Sequence, residues 1–273
     1  MSQNGKQFIF SGHAVGAAAQ FHRLDDLENL DHVVPTLGAS VLPVSGGLSK
    51  GHASHYCYAV DKPRKRTLVS VGRIDTMAAG RTFSDRWETE VEAEIEKVDV
   101  VEKLHVGFVK LHLLAVRDAD SEEARISTKG SRIEGLELGK VAVKVELDEE
   151  PIECCGSRDR LAAFYAGKDD AYRAANAFRF ATDPAAPVLA ERKGRSTFSL
   201  VRKIELSGKQ DPEQPITVDG YTIIWKGFGR IVLGEVSVKG NDRRITMMRL
   251  AMGSDAGGSG SIGDGGSNGQ MGN

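Results

Sequence analysis

The residues best placed to do chemistry are five glutamates that occupy every second position of one segment. An extended strand points alternate side chains to the same face, whereas a helix would scatter them around its circumference. Alternate positions on a strand lie about 6.5 to 7 Å apart, a separation within the range of the carboxylate pairs that hydrolyse glycosidic bonds. The pattern makes Glu90, Glu92 and Glu94 candidate catalytic residues, within the set Glu88, Glu90, Glu92, Glu94 and Glu96.

The same five glutamates also fit roles without catalysis. A row of identical acids is typical of a solvated strand face that keeps a sheet from pairing with other chains. It also suits a basic partner or a Ca²⁺ ion laid across the carboxylates. Lys140 and Lys144 lie on another predicted strand and are candidates to neutralise the row.

The segment from Glu88 to Glu96 resembles the Glu-x-Asp-x-Glu strand of the laminarinase-type β-sandwich glycosidases. The resemblance covers a handful of residues, and glutamate replaces the central aspartate of the family pattern. Those enzymes line their cleft with aromatic side chains, whereas this chain is 6% aromatic and has two tryptophans. The resemblance implies a hydrolase that uses strand carboxylates.

A second candidate site is the cluster His52, His55 and Cys57. Imidazole and thiolate are ligands that Zn²⁺ prefers, and a closed zinc site needs a fourth ligand. On a regular strand His55 and Cys57 share a face that His52 does not, so the three converge only if a turn precedes His55. By the same parity, His105 and His112 are expected on opposite faces of their strand.

The elements that position these residues are predicted to be strands, because apolar and polar residues alternate with a period of two along much of the chain. From Trp87 to Ile95, apolar or uncharged residues alternate with the glutamates, and the phase slips at Lys97, which suggests a bulge or the end of the strand. Asp219-Gly220 and the segment 240–242 predict two hairpins, so the four strands around them read as a meander. We therefore expect an antiparallel, mostly β sandwich or barrel-like body.

Two segments break this pattern. Leu161, Phe164 and Tyr165 fall at helical spacing, so a small helical hairpin is predicted at about 157–180. Residues 253–273 are rich in glycine and serine and almost lack large apolar side chains, and such a segment is expected to stay flexible. The predicted organisation is a single β-rich domain over residues 1–252 followed by a mobile tail.

Composition excludes several classes of protein. The 273 residues are 40% hydrophobic and 27% charged, with 36 Lys and Arg against 38 Asp and Glu. A formal net charge of -2 gives no overall field that would attract nucleic acid or anionic lipid. Three cysteines do not make a disulfide-stapled scaffold. No signal peptide or membrane span is recognisable, so the cytoplasm is the expected compartment.

Three functional hypotheses remain from the sequence. The first is a non-enzymatic, β-rich binding or assembly protein that acts through its surface, with a protein partner or self-assembly and no cofactor. The second is a hydrolase that uses Glu90, Glu92 and Glu94. The third is a metal-binding protein with Zn²⁺ at His52, His55 and Cys57, or Ca²⁺ at the glutamates. An aromatic-walled groove over Glu90 and Glu94 would favour the second hypothesis, and a bare glutamate face the first.

Overall fold

A computed structural model describes residues 7–21, 32–60, 65–153, 160, 163–164, 167–168, 179–180, 196–239, 241–253 and 258–272. In this part of the chain the structure is mostly β, as expected. The elements in chain order are β1 (Phe8–Ile9), β2 (Gly12–Phe21), β3 (His32–Val41), β4 (Gly47–Val60), β5 (Arg66–Thr82), β6 (Arg86–Val100), β7 (Leu104–Asp118), β8 (Arg125–Ser127), β9 (Arg132–Leu138), β10 (Val141–Leu147), α1 (Glu150–Glu153), β11 (Arg179–Phe180), β12 (Ser196–Ser199), β13 (Val201–Ser207), β14 (Ile216–Asp219), β15 (Thr222–Trp225), β16 (Gly229–Lys239), β17 (Asp242–Met252), β18 (Gly258–Ser267) and β19 (Gln270–Met271).

The strands form two large antiparallel sheets and one small one. The eight-stranded sheet runs in the order β13-β10-β9-β7-β6-β5-β4, with β8 beside β7. The nine-stranded sheet runs β11-β12-β16-β17-β18-β2-β3, with the β14–β15 hairpin added at β16. Strands β1 and β19 pair with each other. The two large sheets pack face to face over one continuous apolar core and do not close into a barrel, so the sandwich alternative describes the fold.

Strand β6 shows why the sequence folds this way. Thr89, Val91, Ala93 and Ile95 are buried between the sheets, while the glutamates between them are half-buried on the outer face. Burial of aliphatic side chains on one face is worth about 25 cal/mol per Å² of apolar surface. The meander predicted around the two hairpins is also confirmed, because β14, β15, β16 and β17 pair in sequence.

The phase slip at Lys97 belongs to a feature of the whole eight-stranded sheet. Five residues, one on each of β4, β5, β6, β7 and β9, lie opposite one another, and the strands pair with unchanged register on both sides of them. Alternate members of the row have left-handed backbone, with φ of 53°, 55° and 63° at His55, Lys97 and Gly135. We call this row, which consists of His55, Gly72, Lys97, Gly107 and Gly135, the first crease.

Each strand exchanges its buried and outer positions at the first crease. In β6 the buried residues change from odd positions, ending at Ile95, to even positions, beginning at Val98. In β7 they change in the opposite sense, from Val106 to Val109. The slip at Lys97 is therefore neither a bulge nor a strand end, because no residue is inserted and β6 continues to Val100.

The nine-stranded sheet carries a matching row, the second crease. It crosses β3, β2, β18, β17 and β16, and the flanking residues again keep their register. Left-handed backbone again occurs on alternate strands, with φ of 58°, 64° and 59° at the first, third and fifth positions. The row is made of Gly38, Gly16, Gly263, Met247 and Gly234.

The two creases lie nearly over each other in the sandwich. A Cβ atom at Gly16 or Gly38 would collide with the side chain of Ile74, two residues beyond the first crease on β5. A Cβ atom at Gly263 would lie 3.3 Å from Cγ1 of Val109, two residues beyond the first crease on β7. The two rows therefore face each other across the sandwich, where glycine allows the sheets to come close.

The expectation of a flexible tail over residues 253–273 is wrong for the described residues 258–272. Gly258–Ser267 forms β18, which pairs with β17 on one side and β2 on the other. Its glycines fit where the opposite sheet lies close, because a Cβ atom at Gly265 would lie 2.9 Å from side-chain atoms of both Val91 and Leu111. The segment needs few large side chains because its neighbours supply them. Residues 254–257 and 273 lie outside the described residues.

The predicted helical hairpin at about 157–180 is not supported. Most of that range, including Leu161 and Tyr165, lies outside the described residues. Among the described residues the one complete helix is Glu150–Glu153, which precedes the predicted hairpin. At the far end of the range, Arg179–Phe180 pairs with β12 as a strand. No helix in the described part of the chain is long and apolar enough to cross a membrane.

Candidate functional site: the carboxylate face

The outer surface of β4, β5, β6 and β7 carries the residues that the sequence marks for chemistry. We call this surface the carboxylate face, after the five glutamates on β6, which lie on it as predicted. The strand register places Asp75 and Lys110 on either side of Glu94, and Met77 and His112 on either side of Glu92. The carboxylates therefore lie among side chains from both neighbouring strands.

Three of the five glutamates in the row are paired with cations from their own sheet. Arg81 Nη2 donates to Glu90 Oε2 at 2.7 Å, and Arg86 Nε donates to Glu88 Oε1 at 2.9 Å. Lys110 Nζ donates to Glu94 Oε1 at 2.7 Å. The acids are thus partners in a network of ion pairs.

The cations that the sequence suggested for this role lie elsewhere. Lys140 follows β9 and Lys144 lies on β10, which is separated from β6 by β9 and β7. Lys144 pairs instead with Glu146, at 3.0 Å, and with Glu205, at 3.8 Å. The expectation that these lysines neutralise the row is wrong, because strand order cannot be read from chain order in a sheet with these connections.

Glu90, Glu92 and His112 form the tightest group of potential ligands on this face. One ligand atom from each of the three lies within 4.8 Å of the others. His112 Nε2 is 3.2 Å from Glu90 Oε1 and 3.9 Å from Glu92 Oε1. The other ring nitrogen, Nδ1, donates to the carbonyl oxygen of Lys129 at 2.7 Å. That bond fixes the ring so that Nε2 faces the two carboxylates.

The electrostatics of the face favour the ionised form of Glu90. Partial burial raises the pKa of Glu90, but hydrogen bonds from His112 and Arg81 outweigh this effect, so its pKa lies below the usual range. The hydrogen bond to Glu94 raises the pKa of Lys110. Both shifts favour the charged forms, and neither leaves a carboxyl protonated near neutral pH. A general acid of the kind that glycoside hydrolysis requires is therefore not prepared at Glu90.

Beside the glutamates, a cavity of about 430 Å³ opens over β4, β5 and β6. At its wall His52 Nδ1 lies 2.9 Å from Asp75 Oδ1, and Arg73 Nε donates to the other carboxylate oxygen of Asp75. The hydrogen bond with His52 is the main cause that lowers the pKa of Asp75. None of the residues that line this cavity is phenylalanine, tyrosine or tryptophan; they are Lys50, Gly51, His52, Arg73, Asp75, Thr76, Met77, Glu92 and Glu94. The cavity therefore lacks the large aromatic walls on which sugar rings stack.

The structure does not gather His52, His55 and Cys57 into one ligand set. All three are exposed on β4, and His55 is the member of the first crease on that strand. The crease reverses the parity, so His52 and Cys57 share the outer face, but five residues of strand separate them by about 16 Å. Glu90, Glu92 and His112 form the one group of three such ligands among the described residues.

The prediction that His105 and His112 lie on opposite faces of their strand is also wrong. The first crease crosses β7 at Gly107, between the two histidines, and places both on the outer face. His105 hydrogen-bonds Asp99 there. His112 was not predicted as a neighbour of the glutamates, because only the pairing of β6 with β7 brings them together and the local sequence pattern does not show that pairing.

No curated protein and no solved structure matches this chain. Residues 8–179, more than half of the chain, match the family model described as Domain of unknown function (DUF8256). This range contains the whole carboxylate face and the first crease. The chain therefore belongs to the DUF8256 family of domains of unknown function.

Proposed function

We propose that this protein is a non-enzymatic assembly module that binds a second copy of itself through the edges of its sandwich. One observation carries the proposal. The four most exposed large hydrophobic side chains among the described residues, each 57% to 69% exposed, all lie on β3, on β4 or in the turn between them. They are Val33, Val41, Val44 and Leu48.

These two strands are also the open edges of the two large sheets. In the described part of the chain β3 pairs with β2 alone and β4 with β5 alone. The two edges lie side by side, since Val41 N donates to Ser49 Oγ at 3.2 Å. A long edge that combines unpaired backbone groups with exposed aliphatic side chains is a template for another strand. A second copy offers the same surface, so a closed two-fold interface satisfies both.

The carboxylate face supports this reading over catalysis. Three of its five glutamates are paired with cations of their own sheet, and no phenylalanine, tyrosine or tryptophan lines its cavity. We also infer that the protein works in the cytoplasm, because Cys57 is a free and exposed thiol, which a reducing compartment preserves.

Size-exclusion chromatography with light scattering tests the assembly. The wild-type chain is expected to have the mass of a dimer or a larger assembly. The double variant Val41→Glu, Leu48→Glu should elute as a monomer, because two buried carboxylates oppose the interface. The matched control is Val218→Glu, an exposed valine on β14, which should leave the mass unchanged. A wild-type chain that is monomeric at every concentration contradicts the proposal.

A second candidate function is binding of a divalent metal at Glu90, Glu92 and His112. The geometry that favours it is the ring of His112, held by the carbonyl of Lys129 and aimed at two carboxylates. One imidazole with two carboxylates suits Zn²⁺ better than Ca²⁺, which prefers oxygen ligands alone. Bound metal would also take over the neutralising role that Arg81 has at Glu90.

Thermal unfolding with added metal tests this candidate. Zn²⁺ should raise the melting temperature of the wild-type chain more than Ca²⁺ does, since a ligand that binds only the folded state stabilises it. The rise should vanish in His112→Ala and persist in His105→Ala, a histidine on the same face of β7. An equal response of both variants assigns the zinc effect to other sites.

A further inference from the structure

We propose that a cavity at one end of the sandwich, away from the carboxylate face, binds a small organic anion with a planar ring, of about the size of a mononucleotide. The cavity has a volume of about 520 Å³, within the usual range for small-molecule sites. It lies between the β6–β7 turn, the β9–β10 turn and the loop before β14. Its lining is Glu102, Lys103, Leu138, Gly139, Lys140, Val141, Lys209, Gln210, Asp211, Pro212, Gln214, Ile216 and Trp225.

The floor of the cavity is apolar and aromatic. Trp225 is buried and stacks on Phe228, with ring centroids 5.1 Å apart. Gly139 lies close to the indole, because a Cβ atom there would be 3.6 Å from Cζ2 of Trp225. With φ of 61°, Gly139 occupies backbone that favours glycine. The floor therefore offers a rigid aromatic wall against which a planar ring can pack.

The rim of the cavity carries three lysines without an ion-pair partner among the described residues: Lys103, Lys140 and Lys209. The two acids of the rim are already engaged with backbone amides. Glu102 Oε1 accepts from Thr67 N at 3.2 Å, and Asp211 Oδ1 accepts from Glu213 N at 2.9 Å. Elsewhere on the sheets, lysines such as Lys110 and Lys144 are paired with glutamate. The three lysines outnumber the two acids, so the rim of the cavity carries a net positive charge.

The turn that bears Glu102 is itself unusual. Val101 and Glu102 have φ of 50° and 57°, and Lys103 N donates to the carbonyl of Val100 at 3.1 Å. This is a type I′ turn, which normally contains asparagine and glycine, and a β-branched residue in left-handed backbone is strained. Val101 keeps this geometry because its side chain is buried and its N–H donates to Leu68 O. Such strain recurs where a loop is held in position for a ligand.

These observations specify the chemistry of the ligand. Lysine binds phosphate and carboxylate groups as a compact charge, and three lysines around one opening favour an anion. The apolar floor adds affinity for a ring that a free inorganic ion does not have. A planar ring joined to one anionic group meets both requirements, and a nucleoside monophosphate is a practical probe of that class.

Tryptophan fluorescence of the full-length Trp87→Phe variant, which keeps Trp225 as its one tryptophan, tests the proposal. Adenosine monophosphate should change the emission in a saturable way, and adenosine and inorganic phosphate should each bind at least about tenfold more weakly. The affinity for the nucleotide should fall with added salt, because the contacts are ionic. No saturable change up to millimolar nucleotide overturns the proposal.

Lysine variants then assign the site. Lys140→Ala and Lys209→Ala, both at exposed positions, should each weaken binding about tenfold, as expected for one hydrogen bond to a charged group. The matched control is Lys144→Ala, which removes a paired lysine from the outer face of β10 and should leave the affinity unchanged. If all three variants bind equally well, the nucleotide occupies another place and the assignment of this cavity is wrong.

Discussion

At the scale of single residues, the structure depends on a few positions whose backbone is left-handed. Lys97 is the clearest, because it is exposed, lies within a long strand and has no side-chain role in the ion-pair network among the described residues. A residue other than glycine in this region costs about 1 to 2 kcal/mol relative to extended backbone. The strain is tolerated because neighbours in the first crease hold the strand on both sides.

We expect Lys97→Gly to stabilise the protein by about 1 kcal/mol, since glycine adopts this backbone without steric cost. Lys97→Val should destabilise it, because a β-branched side chain is least compatible with positive φ. Chemical denaturation measures both. Lys97→Ala serves as the control for loss of the charge, and a glycine variant no more stable than the alanine variant contradicts the argument.

At the scale of elements, the sequence predicted some strands well and missed others for a physical reason. Strand β6 was predicted because its apolar and charged residues alternate strictly, as is typical of a strand with one buried face. The sequence of β18 has no such alternation. Its burial comes from Val91 and Leu111 in the opposite sheet, so its own glycines and serines resemble those of a loop.

Because β18 lies between β17 and β2, we expect removal of residues 254–273 to abolish cooperative folding. The deletion would separate two strands in the middle of the nine-stranded sheet and remove Ile262 and Gly265 from the core region. Circular dichroism and thermal unfolding of the truncated chain measure the outcome. A truncated protein that unfolds cooperatively at the wild-type temperature shows that β18 contributes nothing to the sandwich.

A point variant tests the same strand without truncation. Gly265→Val should cost about 1 to 3 kcal/mol, as overpacking of a dense core does, because its side chain would collide with Val91 and Leu111. Ser259→Val is the matched control on the exposed side of β18 and should be nearly neutral. Similar losses in both variants would point to strand propensity instead of packing.

At the scale of the whole molecule, opposite charges on the sheet faces determine how stability depends on pH. A hydrogen bond with His52 lowers the pKa of Asp75, one with Lys203 lowers that of Glu205, and those from His112 and Arg81 lower that of Glu90. Carboxyls with a lowered pKa stabilise the fold above their unfolded pKa, near 4, and this contribution is lost as the pH falls through their folded pKa.

Lysines determine how stability decreases at alkaline pH. Hydrogen bonds to glutamate raise the pKa of Lys110 and Lys203, so their contribution is present below about 10.4 and is lost as the pH rises through the folded value. We therefore expect the melting temperature to be highest between about pH 5 and pH 10 and to fall on both sides. In Glu90→Gln the melting temperature should decrease less steeply as the pH is lowered. If this decrease is the same as in the wild-type chain, the pair with Arg81 adds no stability.

The sequence pattern predicts the overall architecture, but it does not predict which residues of the sites come together. Period-two patterns predict a mostly β, antiparallel body, because they record which face of each strand is buried. They contain no information on which strand lies beside which. The grouping of Glu90 with His112, and of Lys140 with Lys209, arises from strand order and from loops that meet at one end of the sandwich.

The two creases also restrict how the chain can misfold. In an ordinary sheet a strand that slips by two residues keeps every side chain on its correct face, so patterning alone does not prevent the error. Here a two-residue slip of β6 along β5 would place Lys97 opposite Ile74, away from the crease, and would bring the buried Val98 opposite Arg73, which lies on the outer face. Only one register brings the crease residues of all five strands opposite one another. Each crease therefore gives these long strands, whose sequence pattern is repetitive, a unique register.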